Sequence, residues 1–148
     1  MPAKTTLQRA KEDLREGKSP STAAGEFVRE EIEHVRRGKH GARSPQQAIA
    51  IGLSKARRAG VPLPPPAPGK VKEKTRKSAE RAYLKGQTGK SKPAKKYSRI
   101  RERVLKREPR STVSREALSK QARTAARRRK PAARAESARR AASTRRAA

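Results

Sequence analysis

Residues 25–60 read GEFVREEIEHVRRGKHGARSPQQAIAIGLSKARRAG, and their patterning decides the fold of the chain. Val28, Ile32 and Val35 stand at i, i+4 and i+7 with Phe27 beside them, which gives a helix one apolar face. Beyond the break GKHGAR, Ile49, Leu53 and Ala56 repeat that spacing. The second run opens on SPQQ: Ser44 suits an N-cap, Pro45 the first helical position and Gln47 a capping-box partner. Arg57 and Arg58 lie in its last turn, where the helix dipole favours cations, and Gly60 stands just past the end. The spacing thus predicts one helix from about Thr22 to Arg37, ended by Gly38, and a second from Pro45 to just before Gly60. Folded back antiparallel, they bring Phe27, Val28, Ile32, Val35, Ile49 and Leu53 together as a hairpin core. Glu26, Glu30, Glu31 and Glu33 then face Lys55, Arg57 and Arg58, each exposed pair contributing about 0–1 kcal/mol.

Outside this stretch the chain has little to bury. Of 148 residues, 25 are alanine, and Val, Ile, Leu and Phe together number 18. Ordering entropy exceeds what so little apolar surface returns, so a second core of ordinary size is excluded. The expected fold class is all-α: a small helical hairpin over about residues 22–60, further short helices, and largely disordered basic arms. The expected organisation is a helical unit over 1–60, a proline-rich linker over 61–69, a basic and partly helical region over 70–130, and a disordered Ala/Arg tail over 131–148. An earlier helix is read from Thr6 to Glu16, ended by Gly17. In the linker, VPLPPPAPG favours extended polyproline II and reads as a spacer. EKTRKSAERAYLKG reads as a helix over 73–85, SRIRERVLKRE carries Ile100, Val104 and Leu105, and Ser114 suits the cap of SREALSKQARTAARRRK.

Charge grades along the chain. Residues 1–37 hold eight Lys or Arg against seven Asp or Glu, whereas residues 91–148 hold 21 against four, within a net charge of +29. Solubility needs far less, and such an excess repels itself unless a polyanion neutralises it. The candidate phosphate ligands are Lys90, Lys92, Lys95, Lys96, Arg99, Arg101, Arg103, Lys106, Arg107, Arg127, Arg128, Arg129, Lys130, Arg139, Arg140, Arg145 and Arg146. Arginine offers phosphate a forked donor and lysine a point charge. Gln46 and Gln47, at the start of a helix, admit a helix-turn-helix alternative in which they read bases, although the Gly38–Arg43 connection is longer than the usual turn. Three aromatic residues, Phe27, Tyr83 and Tyr97, are too few for a base-stacking platform.

No catalytic constellation, dinucleotide fingerprint or phosphate-cradling loop is present, so no enzymatic activity and no cofactor are expected. With no cysteine, and with His34 and His40 read as a helix-end and a loop histidine, no metal site is expected either. Glu30, Glu31 and Glu33 read as a solvated or salt-bridged face. The N-terminus lacks the apolar run of a signal peptide and no segment suits a membrane span, which predicts a cytoplasmic protein without membrane contact.

The stretch GEFVREEIEHVRRGKHGARSPQQAIAIGLSKARRAGVPLPPP, with TRKSAERAYLKG, resembles a family of small basic bacterial proteins catalogued as a domain of unknown function, over roughly the first ninety residues. The resemblance implies a bacterial cytoplasmic protein and brings no site residues. The tail separately resembles the Ala/Lys/Arg tails of bacterial linker-histone-like proteins. The function expected is DNA binding with little sequence preference, histone-like and nucleoid-associated. The alternatives are an RNA- or ribosome-associated protein, and an interaction module whose hairpin binds a protein partner or a second copy.

Overall fold

A computed structural model describes residues 2–89 and 95–147. Among the described residues the chain is all-helical: α1 (Lys4–Arg15), α2 (Pro20–Arg36), α3 (Pro45–Arg58), α4 (Glu73–Gln87), α5 (Lys95–Lys106), α6 (Arg115–Arg128) and α7 (Pro131–Ala147), with one 3-10 turn at Ser111–Val113.

Local chemistry accounts for the helix starts. Ser44 accepts from the Gln47 amide at 3.2 Å, and Pro45 follows it. Ser19 and Pro20 use the same device, with Ser19 Oγ accepting from the Thr22 amide at 3.3 Å, so α2 begins two residues before the sequence expectation. Ser114 caps α6 through the Ala117 amide. At the ends of α2 and α3 the chain turns through left-handed backbone at Gly38 and Gly60, with φ of 74° and 92°, a conformation that glycine adopts without a Cβ clash.

Helices α2 and α3 pack as the hairpin, but only in part through the expected stripe: Phe27, Val35 and Ala56 are fully buried, while Ile49 and Leu53 are not. The buried face of α3 is Ala48, Gly52 and Ala56, at i, i+4 and i+8. Gly52 lies so close to α2 that a Cβ there would stand 2.6 Å from Val28 Cα. Small side chains let the two backbones approach, and that rotates Ile49 and Leu53 out of the centre. Ile49 and Leu53 are half-buried on the flank, as are Val28 and Ile32, while Phe27 and Val35 are fully buried.

The core gathers at the two ends of this crossing. At one end Phe27 is surrounded by Ala10, Ala23, Ala24, Ala56 and Val61, with Leu7, Leu14, Leu53 and Leu63 against them. At the other, Val35 meets Ala42, Ala48 and Val113, with Ile32 alongside. Alanine therefore supplies most of the buried apolar positions, which is how a chain poor in large hydrophobic residues still closes a core.

The folded unit runs past residue 60. The proline stretch is not a free spacer: Val61 is buried, and buried Arg57 donates to the carbonyls of Leu63 (3.1 Å) and Pro64 (3.2 Å). Those two bonds fold the segment back over the end of α3. Helix α4 then lies on α3, with Ala82 buried and Gly86 so near the Arg57 carbonyl that any side chain there would overlap it. The turn at Ser111–Val113 packs on α2 and α3, Thr112 donating to the Ala42 carbonyl at 2.8 Å and Arg36 to the Val113 carbonyl at 3.3 Å. Residues 131–147 form α7 where an open tail is expected. Alanine is the strongest helix former, and the described side chains of α7 are all exposed, so propensity rather than packing accounts for this helix.

Candidate nucleic-acid interface

The end of α3, one face of α4 and the middle of α5 border a cleft lined by Arg58, Ser78, Arg81, Ala82, Lys85 and Arg101. Ser78, Arg81, Ala82 and Lys85 share one face of α4 at i, i+3, i+4 and i+7. Gly86, pressed against the backbone of Arg57 and Arg58, sets that face beside the end of α3. Among the described residues four cations thus converge, with no carboxylate in the lining. Packing against its neighbours, and then the positive charge of Arg101, push the Arg58 guanidinium below its ordinary value. Like charges held together in this way favour an incoming anion.

Elsewhere the positive charge is partly spent inside the protein. Glu26 pairs with Arg9 and Arg29, Glu33 with Arg36 and Arg37, Glu73 and Glu80 with Arg76, and Glu108 with Arg43. Beside Arg76 the Glu73 carboxyl is held below its ordinary value, chiefly by the hydrogen bond between them.

Among the candidate phosphate ligands, Arg99, Arg101, Arg103 and Arg107 are exposed on or just beyond α5, and Lys106 pairs with Glu102 at 3.1 Å. Arg127 and Arg128 close α6, with Arg129 and Lys130 exposed before α7. Arg139 and Arg146 share one face of α7, Arg145 is exposed on it, and Arg140 pairs with Glu136. Lys90 and Lys92 lie outside the described residues, as do the side chains of Lys95 and Lys96. Among the described residues of this set, Arg101 alone lines the cleft. Arg58, Arg81 and Lys85 escape a reading based on charge runs, although the helical spacing of Arg81 and Lys85 was available in the sequence. Gln46, the base-reading candidate, donates its amide to Gln121 of α6, and Gln47 accepts from the Arg43 amide at 2.6 Å. The helix-turn-helix alternative therefore has both glutamines engaged within the chain.

One cluster departs from the sequence reading. Glu31, His34 and His40 present ligand atoms all within 4.8 Å of one another, although the two histidines are separate in the sequence reading; Glu31 belongs there to a solvated or salt-bridged face, and its pair with Lys55 fits the second of these. Glu31 is 1% exposed, with Lys55 on its Oε2 and His40 Nε2 3.0 Å from its Oε1. Burial, reinforced by the nearby charges of Lys39 and Lys55, holds the His34 imidazole below its ordinary value.

Among the described residues no helix is long and apolar enough to cross a membrane. No curated protein and no solved structure matches the chain. Residues 15–66, which carry the α2–α3 hairpin and the proline-rich return, match the model of a family described as a family of unknown function (DUF6496), a narrower span than the first ninety residues.

Proposed function

We propose that the protein binds duplex nucleic acid, DNA in the first instance, through its phosphates and with little sequence preference, as a nucleoid-associated, histone-like protein. It is a binding protein in this reading, not an enzyme. The observation that carries the reading is the cleft in which Arg58, Arg81, Lys85 and Arg101 converge without a carboxylate. A phosphate there relieves the mutual repulsion of the four cations. The exposed arginines of α5, α6 and α7 extend the same contact along the backbone and release counterions. A duplex is favoured over a single strand because the chain has only three aromatic residues for stacking and, among the described side chains, Phe27 is fully buried and Tyr83 half-buried.

The test is fluorescence anisotropy of the full chain with a labelled DNA duplex, a matched RNA duplex and a single strand, each from 50 to 200 mM salt. Contact through about 6–10 phosphates loses about 10³–10⁵ in duplex affinity over that range. An Arg58→Ala/Arg81→Ala variant binds all DNA sequences more weakly to the same degree and reduces the salt slope by about 2. Tighter binding to RNA than to DNA transfers the function to RNA. A salt slope unchanged in the double variant removes the cleft from the interface.

A further inference from the structure

We propose that Glu31, His34 and His40 form a binding site for a divalent cation of the Zn2+ class. The geometry around Glu31 points to it. Its Oε1 is fully buried and has no hydrogen-bond partner, while Oε2 is held by Lys55. His40 Nε2 stands 3.0 Å from that orphaned oxygen without being aligned to donate to it. The other ring nitrogen, Nδ1, donates to the Gly41 carbonyl at 3.0 Å, so in the neutral ring it is Nε2 that carries the lone pair and faces Glu31. Two lone pairs side by side inside a protein repel unless a cation lies between them. A tetrahedral Zn2+ ion with bonds of about 2.0–2.2 Å places neighbouring ligand atoms about 3.3–3.6 Å apart; here His40 Nε2 and Glu31 Oε1 are 3.0 Å apart and the whole set lies within 4.8 Å, so small shifts of the side chains would seat the ion.

The surroundings match those of a metal-bound histidine. A backbone carbonyl orients His40, and Glu30 stands beside His34, its Oε1 at 3.6 Å from Nε2 and fixed by the Ala3 amide. The two rings meet edge to face, with centroids 6.2 Å apart. His34 brings its ligand atom within 4.8 Å of the other two, so it completes the set by moving inward. Lys39 and Lys55 oppose a cation here, and the carboxylates of Glu30 and Glu31 offset them. Two imidazoles and one carboxylate suit Zn2+, Co2+ or Ni2+ rather than Ca2+ or Mg2+, and leave a fourth position for water.

The ion would tie α2 to the loop that carries the next part of the chain. From that loop Gly41 donates to the Leu105 carbonyl at 2.8 Å and Ala42 to the Pro109 carbonyl at 3.1 Å. Its occupancy therefore stiffens the attachment of the basic α5 segment.

The experiment titrates the full, chelator-treated chain with Zn2+ and with Co2+. The expected results are one ion per chain, visible Co2+ absorption bands and a higher thermal midpoint with Zn2+. His34→Gln and His40→Gln each weaken binding by at least about 100-fold, the upper range seen for outer partners of a metal-bound histidine, and remove the midpoint shift. Should either variant fail to show a helical circular-dichroism spectrum, the wild-type imidazole nitrogens decide. Zn2+ shifts the ring resonances of both His34 and His40 if the site is as described. No stoichiometric binding, undiminished binding in the folded variants, or unmoved ring resonances would each overturn it, and His40 would then be a protonated partner of Glu31.

Discussion

Gly25 and Gly52 are both helix-interior glycines, and alanine at each should have opposite consequences. Alanine in a helix interior is favoured over glycine by about 0.5–1 kcal/mol, chiefly through backbone entropy. At Gly25, exposed on α2, a Cβ meets nothing within 4 Å, so that gain is realised in full. At Gly52 the new carbon would stand 2.6 Å from Val28 Cα, 2.9 Å from Val28 N and 3.0 Å from Val28 Cγ2. Carbon atoms prefer about 3.5–4.0 Å, so α2 and α3 must separate by about 1 Å. Two of the three obstructing atoms are backbone and cannot rotate away. Overpacking of this kind costs about 1–3 kcal/mol, which leaves a net loss of about 0–2.5 kcal/mol after the helix-propensity gain. Urea unfolding followed by circular dichroism measures both variants on one scale. Gly25→Ala moves the midpoint up and Gly52→Ala moves it down, with similar slopes. A Gly52→Ala midpoint at or above that of Gly25→Ala would refute the close crossing, and with it the small-residue interface.

Further outcomes follow from burial and capping. Phe27→Ala, at a fully buried site, costs about 3–5 kcal/mol, whereas Leu53→Ala, at a half-buried one, costs about 1–2 kcal/mol, below the usual range for full burial; thermal melts rank the pair. Ser19→Ala and Ser44→Ala each lower stability by about 1 kcal/mol by removing the acceptor for the Thr22 or Gln47 amide, read from the same unfolding curves. Deleting residues 131–148 leaves the unfolding midpoint unchanged, because the described side chains of α7 touch no core, yet lowers DNA affinity at 50 mM salt. A lowered midpoint would show that the tail packs on the folded unit.

What could be read from the sequence alone was whatever depends on near neighbours in the chain. The 3.6-residue spacing of Val28, Ile32 and Val35, the Ser44–Pro45 cap and the terminal glycines specify two helices and a reversal between them, because hydrogen bonds and side-chain stacking in a helix reach only three or four residues. The excess of arginine and lysine, on which the proposed polyanion partner rests, is likewise countable without reference to the fold. Tertiary structure decided the rest. Which face of α3 is buried depended on how closely two backbones can approach, and Ala48, Gly52 and Ala56 permit an approach that Ile49 and Leu53 at the centre would prevent. The cationic cleft joins residues from three helices, and no run of neighbouring charges announces Arg58 beside Arg101. Glu31 meets His40 across a reversal of the chain, where burial removes the water that would otherwise satisfy its carboxylate. Contacts of this range follow from packing, and packing is a property of the whole folded chain.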